Sequence, residues 1–184
     1  MAEADLAAVA SGPGDVVLCL SASGSTPYTL AIARGAARAG AFVIGLANVP
    51  GSPLLEAADL AVLLDTGPEV MPGSTRLGAA TAQKVALNLI SVLVGIRLGH
   101  VHDGYMVNLV ADNAKLTDRA ARIVAAISGQ GRAAAEAALA QTAGAVKPAV
   151  LVARGATPAQ AARALTSSAG HLAPALASAT FRQT

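Results

Sequence analysis

The run Val16–Leu20 is continuously apolar and breaks abruptly into the hydroxyl- and glycine-rich stretch SASGST, after which Pro27 opens a helical pattern. A buried strand, a tight turn and a helix N-terminus in that order restrict what the chain can become. Two further continuous runs, Phe42–Leu46 and Leu60–Leu64, lie downstream, separated by a helical pattern over Pro27–Ala39 that Gly40 closes and by a short segment over Ser52–Ala58. Continuous rather than alternating apolar strands are expected to be covered on both faces, as in a parallel sheet. The predicted fold class is therefore α/β, with right-handed crossovers and the loops at the strand carboxyl ends gathered on one edge, where ligands bind. Those loops are Ser21–Thr26, Ala47–Pro53 and Asp65–Thr75.

The first loop offers the hydroxyls of Ser21, Ser23, Ser25 and Thr26. Gly24 is expected to let backbone approach a ligand closely. Ser25 or Thr26 can cap the helix and Pro27 suits its first position. Free N–H groups and the positive dipole end make a phosphate the natural occupant; a serine-rich turn that merely caps its helix is the other reading. No lysine lies in the turn, so it is not a P-loop. The third loop, DTGPEVMPGST, precedes a helix expected over Arg76–Leu98. Ser74 or Thr75 can cap it, making a second hydroxyl-and-dipole site. Glu69 in the same loop, one of four glutamates, can accept sugar hydroxyls, brace the loop, or move a proton. Asp65, at the end of the third strand, can brace the loop or serve as a second proton-transfer group, with bracing the expected role.

Composition excludes several classes. Aromatic residues are only 2% of the 184 residues, which argues against base-stacking nucleic-acid recognition. The formal charge of +2 is small and carries no basic run. The single cysteine, Cys19, rules out an intrachain disulfide and fits a reducing, cytoplasmic location; MAEADLAAV lacks the basic start of a signal peptide. Val85–Ile96 reads as too short to span a bilayer, and its apolar character on nearly every side predicts a helix buried in the core or in a homo-oligomer interface. His100 and His102, in an H-x-H, and the isolated His171 read as connection residues, with no metal site expected. Beyond Lys115, short helices over Asp112–Ile127, Arg132–Thr142, Val146–Arg154, Pro158–Thr166 and Gly170–Ala177 predict a small bundle; Thr157-Pro158 is a cap and first-turn pair.

SASGSTPY resembles the S-x-S-G-x-T phosphate loop of sugar isomerase (SIS) domains. GPEVMPGSTRLGAATAQKVALNLIS resembles the signature of N-acetylmuramic acid 6-phosphate etherases, and Met106–Val124 resembles the segment that follows it. The tail AEAALAQTAGAVKPAVLVARGATPAQAARAL is similar to that family's C-terminal, ubiquitin-associated-like helical domain. The resemblance implies an SIS phosphosugar-binding part over 1–127 and a helical part over 128–184. It implies sugar-phosphate binding by Ser21, Ser23, Gly24, Ser25, Thr26, Glu69, Ser74 and Thr75, with no metal or organic cofactor. The implied reaction cleaves a lactyl ether to N-acetylglucosamine 6-phosphate and D-lactate. Two departures stand out. Ser25 replaces the family's usual arginine, and a serine cannot clamp an anion as a guanidinium does. The family's upstream Gly/Ser-rich loop and its acid–base glutamates have no counterpart here, leaving Glu69 as the one weak candidate for proton transfer. The glucokinase regulatory protein shares this ancestry, so a non-catalytic sugar-phosphate-binding module is an alternative, and an SIS-type phosphosugar isomerase is another.

Overall fold

The computed structural model describes residues 1–178, which divide into two compact units, Met1–Ile90 and one beginning at Ser91. The first unit starts with α1 (Ala2–Val9), which the sequence reading did not anticipate. It continues as β1 (Val16–Leu20), α2 (Pro27–Arg38), β2 (Phe42–Ala47), α3 (Pro53–Ala57) and β3 (Leu60–Leu63). The three strands form a parallel sheet in the order β1-β2-β3. Val16 pairs with Phe42 and Ile44 with Leu60. The Asp59 carboxylate accepts the Val43 N–H at 2.8 Å, just ahead of the first β2–β3 pair. That bond satisfies a donor the ladder does not reach and helps pin the register.

One face of the sheet holds the core of this unit. Val17, Cys19 and Val43 pack there against Ala33 and Ala36 of α2 and against Leu54 of α3. Gly45 is needed on that face because a Cβ would press on Leu54 and Ala58. Burial raises the pKa of the Cys19 thiol, since the thiolate would lose solvation. The expectation that every strand is covered on both faces fails at the strand starts, although Leu46, further along the second face, is buried. The two crossover helices lie on the same side, so Val16, Phe42 and Leu60, which share the other face, remain 61%, 48% and 47% exposed.

Helix α4 (Gly78–Arg97) corrects two further expectations. Only Ala79 is buried along it, whereas Val85, Leu89, Leu93 and Ile96 are about half exposed, so it is not a core helix of the described chain. At 20 residues it is also long and apolar enough, by length and composition, to cross a bilayer. The sequence reading counted only the uninterrupted apolar stretch, while the helix continues through Gln83 and Lys84 on one side and to Arg97 on the other.

The second unit opens with a hairpin, β4 (Val101–His102) and β5 (Tyr105–Met106), where a plain connection was expected. Its turn residues Asp103 and Gly104 both have positive φ, 48° and 76°, as a two-residue hairpin turn requires. Five helices follow: α5 (Ala114–Ser128), α6 (Arg132–Gln141), α7 (Val146–Ala153), α8 (Pro158–Ser167) and α9 (Leu172–Ser178). They share one core around Val124, Leu139, Val150, Leu151 and Leu172. Asn113 caps α5 by accepting the Leu116 N–H at 3.0 Å. Thr157 and Gln160 form a reciprocal capping box on α8. The last six residues of the expected helical part, 179–184, lie outside the described residues. His171 is not isolated: its ring sits against Gly99, where a Cβ would come within 2.9 Å of it. Among the described residues no group of three His, Cys, Asp or Glu is arranged to hold a metal.

Candidate functional site

The carboxyl ends of β1, β2 and β3 open into a cavity of about 480 Å³. Ala22 and Ser23 line it from the first loop, Asn48 and Val49 from the second. The third loop contributes Thr66 through Glu69 and Pro72 through Thr75, and Ala79 closes it from α4. Three loops from successive parallel strands thus converge where a parallel sheet places its ligands.

The β1 loop is organised by Ser21, which is nearly buried. Its hydroxyl lies 2.7 Å from that of Thr26 and accepts the Gly24 N–H at 3.1 Å. Thr26 occupies the N-cap position of α2, yet its side chain makes no capping bond because the hydroxyl is turned to Ser21. Ser25 likewise leaves the helix uncapped and bonds the Ser23 carbonyl at 3.2 Å. Pro27 has no N–H, so Tyr28 and Thr29 present first-turn donors with no carbonyl one turn earlier to receive them. Gly24 serves a different purpose from the one expected. Its φ is 65°, and a side chain there would collide with Ser52, so the close approach it permits is taken by the chain itself. Its carbonyl accepts the Leu54 N–H at 2.9 Å, tying the first loop to α3.

At α4 the expected hydroxyl caps are replaced by Glu69. Its two carboxylate oxygens accept the Ala79 and Gly78 N–H groups at 2.9 and 3.1 Å. Neither Ser74 nor Thr75 makes a side-chain cap there; the Thr75 main-chain carbonyl accepts Ala80 N–H instead. A carboxylate suits that position because it meets two orphan donors and the positive dipole end together. The anion at α4 is therefore the protein's own, whereas α2 has neither a side-chain cap nor an acidic residue in its first turn. Each Glu69 oxygen keeps a further lone pair for a ligand hydroxyl.

Asn48 was missed by the sequence reading. Its main-chain N–H donates to the Ala22 carbonyl at 3.0 Å, and its side-chain amide donates to the Leu64 carbonyl at 2.8 Å. Its Oδ1 accepts from Gln83 of α4 at 3.0 Å. One residue, through its main chain and its side chain, thus ties the ends of all three strands together, and it explains why Gln83 interrupts an apolar helix. The available signal was a lone amide directly after a buried strand, ahead of a Pro-Gly turn. Of the residues proposed from sequence, Ser23, Glu69, Ser74 and Thr75 share the cavity wall. Ser21 and Gly24 shape the loop behind it, and Ser25 and Thr26 sit exposed at the start of α2.

The model of the SIS domain covers residues 4–95, half of the chain, and the chain belongs to the SIS domain family. Beyond that domain, it is 49% identical over 170 residues to the N-acetylmuramic acid 6-phosphate etherase of Deinococcus radiodurans, covering 92% of this chain and 56% of that one. It is 46% identical to the enzyme of that name from Symbiobacterium thermophilum, over 76% of this chain and 46% of the relative. For Streptomyces coelicolor the figures are 44% identity, 97% and 58%. The chain spans about half the length of these relatives.

Proposed function

We propose that the chain is an etherase-type phosphosugar protein, acting on N-acetylmuramic acid 6-phosphate in amino-sugar catabolism and peptidoglycan recycling. The observation that carries this reading is the pairing of an uncapped α2 N-terminus with a hydroxyl-lined cavity at the same sheet edge. The phosphate is held by the first-turn N–H groups of α2 with Ser25 and Thr26. The sugar lies toward Ser23, Ser74, Thr75 and Glu69. Ether cleavage needs one group to remove the proton at C2 and another to protonate the departing lactate oxygen. Among the described residues Glu69 is the only charged one lining the cavity, and it can fill one of these roles. The other belongs to the part of the relatives' length that this chain does not span. No metal or organic cofactor takes part.

The functional division is a phosphosugar-binding part over 1–127 and a helical part over 128–184, with α5 packed into the core of the latter. The protein is cytoplasmic, binds neither nucleic acid nor membrane, and self-associates, with one stripe of α4 in the homo-oligomer contact. A non-catalytic sugar-phosphate sensor is the second reading, favoured by Glu69 serving as a helix cap.

Calorimetry with N-acetylglucosamine 6-phosphate and with unphosphorylated N-acetylglucosamine tests the binding claim. The phosphorylated sugar binds, and Ser23→Ala combined with Thr26→Ala weakens it by about 1–3 kcal/mol, as for lost hydrogen bonds to a charged group. Equal affinity for the two sugars removes the phosphate assignment.

A further inference from the structure

A second cleft lies in the first unit, between α1 and α2. Leu6 of α1 seats directly on Gly35 of α2, where any Cβ would collide with a Leu6 methyl. The Tyr28 hydroxyl donates to the Asp5 carboxylate at 3.0 Å and ties the same two helices together. The cleft left between them measures about 410 Å³ and shares no residue with the sheet-edge cavity. Its wall is apolar along Leu6, Ala7, Ala10 and Ala31, and it carries the side chains of Arg34 and Arg38.

Those two arginines are four residues apart on α2, so their charges lie on one helix face and repel each other. Among the described residues neither forms an ion pair, whereas Arg122 and Arg132 of the second unit both do. The negative end of α2 accounts for Arg38 in its last turn, but Arg34 stands one turn further back. Arg38 Nη2 would lie 3.9 Å from a Cβ on Gly35, so its guanidinium folds back along the cleft instead of reaching into solvent. Ser11, on the same cleft, has a hydroxyl shut off from solvent with no hydrogen-bond partner, which is uncommon for a buried polar group.

We infer that this cleft binds a small organic monoanion, a carboxylate on a compact apolar body. Arg34 and Arg38 share the carboxylate, which replaces their mutual repulsion with charge-assisted hydrogen bonds. The apolar wall takes the body of the ligand, and the size and lining are those of a small-molecule site. Glu3, also on the cleft, repels a doubly charged phosphate, so the preference is opposite to that proposed for the sheet edge. The inference goes beyond the phosphosugar reading and stands or falls separately from it.

The test is titration of the isotope-labelled 184-residue chain with hexanoate, followed by amide NMR. Saturable shifts are expected at Leu6, Ala10 and Gly35, with Ser23 and Ser74 of the sheet edge unmoved. Hexanol, the same body without the charge, and inorganic phosphate should each bind at least ~10-fold more weakly. Arg34→Gln combined with Arg38→Gln should weaken hexanoate at least ~10-fold, and Ala31→Leu, which fills the cleft from a helical position, should abolish its binding. Circular dichroism verifies that the variants are folded. Absence of saturable shifts at millimolar hexanoate overturns the inference. So does hexanol or phosphate binding as tightly as hexanoate, and so does a folded double glutamine variant that binds hexanoate unchanged.

Discussion

Glu69 and Gly24 show how one residue type can serve two ends. A glutamate in a ligand loop suggests substrate contact, yet its carboxylate closes the α4 N-terminus through two N–H groups. Glu69→Ala should therefore destabilise the fold by about 1–2 kcal/mol, the range for losing a cap and a favourable dipole interaction. Urea unfolding measures this, and an unchanged midpoint would show that the cap contributes nothing. Gly24→Ala combines a left-handed φ with a collision against Ser52. A cost of about 1–3 kcal/mol is expected from that strain. It should be accompanied by a loosened first loop, visible as faster amide exchange at position 24 and at Leu54.

Between elements, ion pairs and caps set the geometry of the helical unit. Arg132 at the start of α6 bonds Asp118 of α5 at 2.9 Å and Glu136 at 2.7 Å, and Arg122 lies 3.1 Å from Asp118. The hydrogen bond from Arg132 is the main reason the Asp118 pKa falls below its ordinary 3.8, with the charges of Arg122 and Arg132 adding to it. A carboxylate whose folded pKa is depressed contributes stability above its unfolded value and loses it as pH falls through the folded value. The stability difference between the native chain and Asp118→Asn should thus be present at neutral pH and vanish in acid below that range. It should also shrink in high salt, because the group is at the surface. A difference that persists unchanged in strong acid would assign the effect to something other than this charge. In α8, Thr157→Ala removes the capping box and should cost ~1 kcal/mol in thermal or urea unfolding.

At the scale of the molecule, the chemical inventory predicts an incomplete catalyst. Elimination needs an acid and a base, each contributing typically ~10²–10⁴-fold. The cavity wall offers one carboxylate, which already holds a helix end. The isolated 184 residues should release D-lactate from N-acetylmuramic acid 6-phosphate at little or no rate. Release at an ordinary enzymatic rate, abolished by Glu69→Gln, would show that Glu69 carries more of the chemistry than its cap geometry suggests.

Local pattern alone determined the three parallel strands, the helices α2 and α5 to α9, and the Thr157-Pro158 start of α8. Each depends on period, on proline and glycine punctuation, or on a cap within four residues, and those are short-range effects. The loops that meet at the sheet edge were legible for a similar reason, because continuous apolar strands dictate where their carboxyl ends go. The partner of each polar group was not legible. Thr26 turns to Ser21, Gly24 makes room for Ser52, Asn48 meets Gln83 thirty-five residues on, and Glu69 displaces Ser74 and Thr75 as the cap of α4. The same holds for coverage. Sequence shows that α4 and the strands are apolar, but only the placement of α2 and α3 on one face decides which of those apolar surfaces the chain can bury by itself.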